Sequence, residues 1–233
     1  MIQSVILLNQ LWSFLCYQEQ SERPGINVNT SQAVSDTLLK NAFPSTYTAK
    51  AINKGDEAEL LKAAKLLDQV ALSQIFDQYA PLLYSYVLRL CRDPELADQI
   101  VGDVFSKLLD KLSDGKGPQS NLRSYLYQIA YHLFIDQTRY NKNITPIEIV
   151  EYMRGEENTL QDEIENRALL DTVLLAINNE LTTDQRHVII LRFLEGLDLK
   201  ETSKVIGKSV NNVKVLQSRG IDKLRKVLGL QSK

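Results

Sequence analysis

The stretch that decides the fold runs from Glu195 to Leu228, EGLDLKETSKVIGKSVNNVKVLQSRGIDKLRKVL. Its pattern predicts two helices with a tight turn between them. Asp198 and Glu201 have the spacing of a capping box at the start of the first helix. Gly207 follows where a helix end favours a left-handed residue, and Ser209 can cap the second helix. A short helix, a tight turn and a longer polar-faced helix form the helix-turn-helix layout, whose second helix enters the DNA major groove.

Helical spacing divides the side chains of the second helix between two faces. One face is predicted to point inward: Val213, Leu216, Gly220, Leu224 and Val227. The opposite face and its flanks carry the candidate DNA-binding residues Asn211, Asn212, Lys214, Val215, Ser218, Arg219 and Lys223. Residues near the start of a recognition helix usually reach base edges, and later basic residues reach phosphates. We therefore expect Asn211, Asn212 and Val215 to contact bases. Arg219 and Lys223 are expected on the backbone, and Lys214 suits either role.

Charge is distributed unevenly along the chain. The overall net charge is −2, but residues 182–233 carry +6 and residues 141–181 carry −6. From Lys204 to the end there are eight basic residues and a single acid, Asp222. Such a basic patch gives affinity for the phosphates of a duplex, which predicts a nucleic-acid partner. The alternative interpretation is a solvated C-terminal helix whose lysines suit the helix dipole.

Composition limits the other classes of function. The chain has 233 residues and a hydrophobic fraction of 44%, enough for packed cores. Its two cysteines, Cys16 and Cys91, form no disulfide framework or metal-ligand cluster, which indicates a reduced, cytoplasmic setting. His132 and His187 have no ligand-spaced neighbours, and no phosphate-binding glycine loop or nucleophile motif is present. We therefore expect no enzymatic activity, no cofactor, no metal and no small-molecule substrate.

The chain shows no alternating strand pattern and is predicted to be all-α, with two small helical domains joined by a linker. Residues 1–55 are expected to be a mostly irregular extension; their apolar start, residues 1–17, is a packed or partner-binding helix or a weak membrane contact. Residues 56–140 form the first predicted domain. Residues 141–163 form an acidic linker, and residues 164–233 form the helix-turn-helix domain.

Within the first domain, one helix is predicted from Gly55 onward and another after Pro81. Asp93 and Pro94 form a cap and a first-position proline that open a third helix. A fourth helix, with Ser120 or Asn121 as its cap and running to about Tyr140, mixes aromatic rings with basic and amide groups, a composition that suits unstacked single-stranded bases. Half-buried tyrosines with hydrated hydroxyls remain the alternative.

Three segments in order resemble one family. Asp93–Phe105 (DPELADQIVGDVF) resembles the core-binding helix of bacterial sigma factors, and Asn121–Tyr140 resembles their promoter-melting, minus-ten-reading helix. Leu181–Leu228 resembles their minus-thirty-five-reading domain. With only these two domains, the match is to the extracytoplasmic-function group.

The resemblance implies a subunit that gives RNA polymerase its promoter specificity. Its partners would be core polymerase (the largest-subunit clamp and the flap), promoter DNA and an anti-sigma factor, which often binds members of this group. The implied clamp-binding residues are Asp98, Gln99, Asp103 and Phe105. The implied minus-ten residues are Ser120, Asn121, Arg123, Tyr125, Gln128, Tyr131, His132 and Arg139. An ordinary helix-turn-helix regulator, with residues 56–180 as a ligand-binding or dimerisation domain, is the alternative.

The sequence departs from the family pattern at several positions. Tyr125 stands where the family often has Trp, Leu216 where it often has Arg, and Gly220 where it often has Ala. A glycine inside a helix costs about 1 kcal/mol relative to alanine. Residues 1–55 match nothing in the two-domain pattern, so they are either a regulatory extension or sequence upstream of the real start.

Overall fold

The computed structural model describes residues 54–140 and 161–229. All regular elements in these two ranges are helical, which confirms the all-α prediction. The apolar start of the chain and residues 141–160 of the predicted linker lie outside the described residues. In chain order the helices are α1 (Lys54–Ala64), α2 (Gln69–Cys91), α3 (Pro94–Ser113), α4 (Leu122–Tyr140), α5 (Gln161–Glu180), α6 (Thr183–Ile189), a π-helical turn (Ile190–Leu194), α7 (Leu199–Ile206) and α8 (Val210–Val227).

The described residues divide into two compact units. One contains residues 54–140 together with Ile190–Val213, and therefore includes α1 to α4, the π-helical turn and α7. The other contains residues 161–189 and 214–229. The long helix α8 passes from one unit into the other. Within residues 54–140 and 161–229, none of the helices combines the length and apolar character needed to cross a membrane.

The break between the first two helices is not at Pro81, where the sequence pattern predicts it. α1 ends at Ala64, Leu67 adopts a left-handed φ of 59°, and Pro81 lies inside α2. The break is at Asp68 because its side chain accepts a hydrogen bond from the Ala71 N–H at 2.8 Å and caps α2. Phe76 of α2 is 49% exposed.

The cap that was predicted for α3 is present, whereas the start of α4 differs from the prediction. The Asp93 side chain accepts from the N–H groups of Glu95 and Leu96, and Pro94 is the first residue of α3. Asn121, one of the two residues expected to cap α4, has a left-handed φ of 56°. The Leu122 N–H donates instead to the carboxylate of Glu57 in α1. The start of α4 is thus held by a residue far away in the sequence.

The two helices of the helix-turn-helix have the predicted ends. Asp198 and Glu201 form a reciprocal capping box, and Gly207 ends α7 with a φ of 66°. The Asn212 N–H donates to Ser209 Oγ at 3.3 Å at the start of α8. Upstream, α6 begins with reciprocal hydrogen bonds between Thr182 and Gln185. These local signals confirm the helix-turn-helix prediction.

Candidate nucleic-acid interface

The recognition helix α8 exposes most of the residues assigned to the minus-thirty-five interface. The exposed members are Asn211, Asn212, Lys214, Val215, Arg219 and Lys223, while Ser218 is half-buried. Val215 is 48% exposed and gives the face an apolar spot of the kind that contacts a thymine methyl group. Amide, basic and methyl groups on one helical face can read base edges and bind phosphates.

The inner face of α8 differs from the prediction at several positions. Val227, expected inside, is 48% exposed. Gln217 and Ile221 are buried, although neither was predicted to lie on the inner face. The buried face of α8 is therefore centred nearer to these two residues than the sequence pattern predicts. Gly220 is buried in close packing: a Cβ there would lie 3.2 Å from Ile189 Cγ1 of α6. Glycine at this position permits the close approach of the two helices, which offsets its low helix propensity.

Lys223 is committed to a contact within its own unit. Its Nζ donates to the backbone carbonyl oxygen of Glu180 at the end of α5 and lies 3.8 Å from the Glu180 carboxylate. The lysine therefore complements the C-terminal end of the α5 dipole. Contact between Lys223 and a DNA phosphate would require the Lys223 ammonium group to leave or share this position.

The residues assigned to the minus-ten element are unequally accessible on and beside α4. Ser120, His132 and Arg139 are exposed, and Asn121, Arg123, Tyr125 and Gln128 are partly buried. Tyr131 is buried, with its ring edge-on to His132 at a centroid distance of 5.3 Å. Burial raises the pKa of the Tyr125 hydroxyl. The aromatic pattern thus serves two purposes, since Tyr127 and Tyr131 belong to the core and Tyr125 lies nearer the surface.

The candidate polymerase-binding residues lie along α3. Asp98, Gln99 and Asp103 are exposed and lie away from the buried residues of the helix, such as Ile100 and Val104. Phe105 is buried and its ring packs against Phe76, with centroids 4.7 Å apart. Phe105 therefore belongs to the packing of the domain, whereas Asp98, Gln99 and Asp103 form an exposed acidic face on α3.

A buried glutamate, Glu195, that no sequence motif identifies is bound to α2 and α4. The side chain of Glu195 is only 4% exposed. Its carboxylate forms an ion pair with Arg89 of α2 and accepts a hydrogen bond from Tyr127 Oη of α4 at 2.7 Å. Its backbone carbonyl accepts from the guanidinium of Arg123, also in α4. Burial and the negative charge of Glu195 raise the pKa of Tyr127 well above its ordinary value.

The π-helical turn places Glu195 at this position. The Glu195 N–H donates to the Ile190 carbonyl at 2.9 Å, and the Leu197 N–H donates to the Leu191 carbonyl at 2.9 Å. Buried Arg192 donates to the Leu197 carbonyl at 2.6 Å. Two charged residues, Arg192 and Glu195, inside the otherwise apolar run Val188–Leu197 were the available sequence signal, since buried charges need partners. Among the described residues, no cluster of three or more His, Cys, Asp or Glu side chains could hold a metal ion.

Two family descriptions match this chain, in the same order as the two candidate DNA-binding helices, α4 and α8. Sigma-70 region 2 matches residues 75–144, and Sigma-70, region 4 matches residues 179–226. Together the two matches cover just over half of the 233 residues. The first match spans α3 and α4, and the second spans the helix-turn-helix.

Individual relatives give the same result. The chain is 27% identical to the ECF RNA polymerase sigma factor BldN of Streptomyces coelicolor, over 73% of this chain and 65% of BldN. It is 28% identical to the ECF RNA polymerase sigma factor SigX of Bacillus subtilis, over 67% of this chain and 82% of SigX. The chain thus spans slightly less than two thirds of the length of BldN.

A solved structure shares the fold. The sigma factor RpoE from Bartonella quintana, crystallised with the anti-sigma factor NepR, superposes with a TM-score of 0.54 at 23% identity. The superposition covers 69% of this chain and 98% of RpoE. Both sigma-70 regions, the curated relatives and the fold agree, so this chain belongs to the sigma-70 family, in its extracytoplasmic-function group.

Proposed function

We propose that this sigma factor divides its work among three exposed helical faces: α3 binds core RNA polymerase, α4 binds the melted minus-ten element, and α8 reads the minus-thirty-five element. The observation that carries the proposal is the presence of region 2 and region 4, in that order, in one chain. Binding of polymerase and promoter by the same chain then directs where transcription begins.

The acidic face of α3 supports the role in polymerase binding. Asp98, Gln99 and Asp103 project from a helix whose opposite face is buried, so they are available to a partner without disturbing the core. Two carboxylates favour a partner surface with basic side chains, and their charge accelerates association. The partner surface proposed is the clamp of the largest polymerase subunit, and the flap is proposed as the contact of the helix-turn-helix domain.

The two DNA-binding helices carry different chemistry, which fits two different forms of DNA. α8 presents amides, an apolar side chain and basic groups, which suit the major groove of a duplex. α4 presents Tyr125, Gln128 and His132, which suit stacking and hydrogen bonding to unpaired bases. The acidic linker is proposed to pass through the polymerase cleft, where its charge resembles that of nucleic acid.

Other parts of the proposal follow from the family. Sigma factors of this family are initiation factors, and we propose that this chain carries out no catalysis and acts in the cytoplasm, where polymerase and promoter are found. The RpoE structure contains an anti-sigma factor. An anti-sigma partner is accordingly proposed for this chain as well.

Titration of the full chain with fluorescently labelled core polymerase tests this function. Saturable binding to core enzyme supports the sigma mechanism. Sequence-specific DNA binding without any affinity for core enzyme would identify a helix-turn-helix regulator instead, because a regulator of that kind needs no direct contact with the polymerase core.

A further inference from the structure

The segment that contains Glu195 packs on the helix proposed to bind melted DNA. Within the unit formed by residues 54–140 and Ile190–Val213, α7 contacts α4 and the π-helical turn contacts α2. Glu195 is the polar centre of this contact. Its carboxylate is bound by Arg89 of α2 and Tyr127 of α4, and its backbone carbonyl is bound by Arg123 of α4.

Three side chains donate hydrogen bonds to the oxygen atoms of Glu195, and two of these side chains are permanently charged. Arg89 pairs with one carboxylate oxygen, Tyr127 donates to the other at 2.7 Å, and Arg123 donates to the carbonyl. The Arg123 guanidinium also lies 5.8 Å from the centroid of the Tyr127 ring. Because its pKa is raised, Tyr127 keeps its proton at neutral pH and remains a donor. Two guanidinium groups and a phenol hydroxyl are the donors that proteins use for phosphate oxygens.

Binding of Glu195 and binding of DNA use the same side chain. Arg123 is one of the residues proposed to contact the minus-ten element, and in this structure its guanidinium donates to the Glu195 carbonyl. The two contacts compete for that guanidinium. If the Glu195 segment left, the half-buried Arg89 guanidinium and the buried Tyr127 hydroxyl would lose the carboxylate that they now bind, and the loss of a charged hydrogen-bond partner is costly. A phosphodiester carries the same single negative charge as the glutamate carboxylate and could replace it.

We propose that Arg89, Arg123 and Tyr127 form a binding site for a phosphate of single-stranded promoter DNA, which Glu195 fills when no DNA is bound. The inference rests on the proposed function of α4 and adds Arg89 and Tyr127 to its DNA-binding surface. It also gives Glu195 a regulatory role, because the segment must leave α4 before the strand can occupy the site. The measured affinity for DNA is then the affinity of the open form, in which the Glu195 segment has left α4, multiplied by the fraction of molecules in that form.

The test measures binding of the full chain to a fluorescein-labelled DNA single strand by fluorescence anisotropy at several salt concentrations. A strand of about 20 nucleotides is long enough to hold a few single-strand binding sites. A mixed-sequence strand is used because a phosphate contact carries no sequence information. Glu195→Gln should bind at least about fivefold more tightly than wild type, as expected for a closed state that dominates without DNA. Glu59→Gln removes the same charge from an exposed position on α1 and should leave the affinity nearly unchanged.

A second comparison tests the donors. In the Glu195→Gln background, Arg89→Gln should weaken binding and reduce the log–log salt slope by about 0.7, the value for one phosphate contact on a single strand. Lys62→Gln, which removes a positive charge from an exposed position on α1, should leave that slope nearly unchanged. Equal slopes for the Arg89 and Lys62 variants would overturn the phosphate site.

A third variant keeps the test decisive if Glu195→Gln does not fold. Glu195→Asp retains the charge but is shorter by one methylene, so it cannot reach Arg89 and Tyr127 together and should also tighten DNA binding. Affinities of both Glu195 variants equal to that of Glu59→Gln would overturn the inference. Failure of the proposed function is a separate result: the chain would not bind core polymerase, whereas this assay contains no polymerase and no promoter.

Discussion

Tyr127 and Glu195, 68 residues apart in the sequence, share a buried hydrogen bond of 2.7 Å. Tyr127 is fully buried and its ring packs against Tyr86, with centroids 5.2 Å apart. In this structure the hydroxyl therefore satisfies a carboxylate that folding has removed from water. This contact joins the π-helical turn to α4 and makes Tyr127 sensitive to even a small change.

Removal of this hydroxyl should destabilise the protein. Tyr127→Phe keeps the ring but leaves one oxygen of the buried carboxylate without its donor, at an expected cost of about 1–3 kcal/mol. Urea unfolding followed by circular dichroism measures this cost. Tyr125→Phe, on the same helix but half-buried, is the control and should change stability by less. Equal unfolding midpoints for the two variants would show that the hydrogen bond adds nothing to stability.

His187 should make the protein less stable in mild acid. Its side chain is buried in α6, and burial, assisted by the charge of Arg186, lowers its pKa to about 3. In the unfolded chain the histidine has a pKa of about 6.5. Below that pH the unfolded chain therefore binds a proton at this residue, whereas the folded chain does not. Stability from this group is therefore complete above pH 6.5 and is lost as the pH falls toward the folded-state value.

Denaturation at two pH values measures this effect. Between pH 7.5 and 5.5, His187 should remove about 1.4 kcal/mol of unfolding free energy. In His187→Gln that part of the pH dependence should disappear, while His132→Gln, at an exposed position, should behave like wild type. An identical loss between the two pH values in wild type and His187→Gln would contradict a buried neutral histidine.

The acidic face of α3 should be required for polymerase binding but not for folding. Asp103→Arg reverses an exposed charge on the proposed docking surface, so we expect at least about a tenfold loss of affinity for core enzyme, about 1.4 kcal/mol. Asp77→Arg makes the same charge change at an exposed position on α2 and serves as the control. Unchanged affinity of the Asp103 variant in a titration with core polymerase would remove this face from the docking surface.

The sequence predicts the helix-turn-helix well because its signals are local. Asp198, Glu201, Gly207 and Ser209 each act within three or four residues of their own position, through hydrogen bonds that any helix end requires. The exposed face of α8 follows from the same regular helix. Proline, by contrast, misled the prediction: Pro81 is accommodated inside α2, and the break is set by the Asp68 cap.

Other features depend on residues that are distant in the chain and could not be predicted. Glu57 caps α4 from 65 residues away, and Arg89 meets Glu195 across 106 residues. No periodicity or spacing encodes these pairs. The burial of Tyr127 and Tyr131 also depends on which elements pack over α4, so the aromatic pattern alone could not separate core rings from rings near the surface.

Base reading and phosphate binding on α8 should separate by mutation. Asn212→Ala should lose about 1–3 kcal/mol at its own base pair and relax discrimination there. Arg219→Ala should weaken all sequences about equally and reduce the salt slope by about one unit. Binding to a set of single-base promoter variants at several salt concentrations measures both effects. The assigned roles would be reversed if Arg219→Ala changed base preference while Asn212→Ala lowered binding uniformly.

Transcription in vitro, with core polymerase and a library of promoter templates, tests the central claim most directly. If the chain directs promoter recognition, transcripts will start at defined positions downstream of shared minus-thirty-five and minus-ten sequences, and only when the chain is present. Asp103→Arg should abolish most of these transcripts, whereas Asp77→Arg should preserve them. Folded wild-type protein that yields no specific transcript above core polymerase alone, across the whole library, would contradict the assignment.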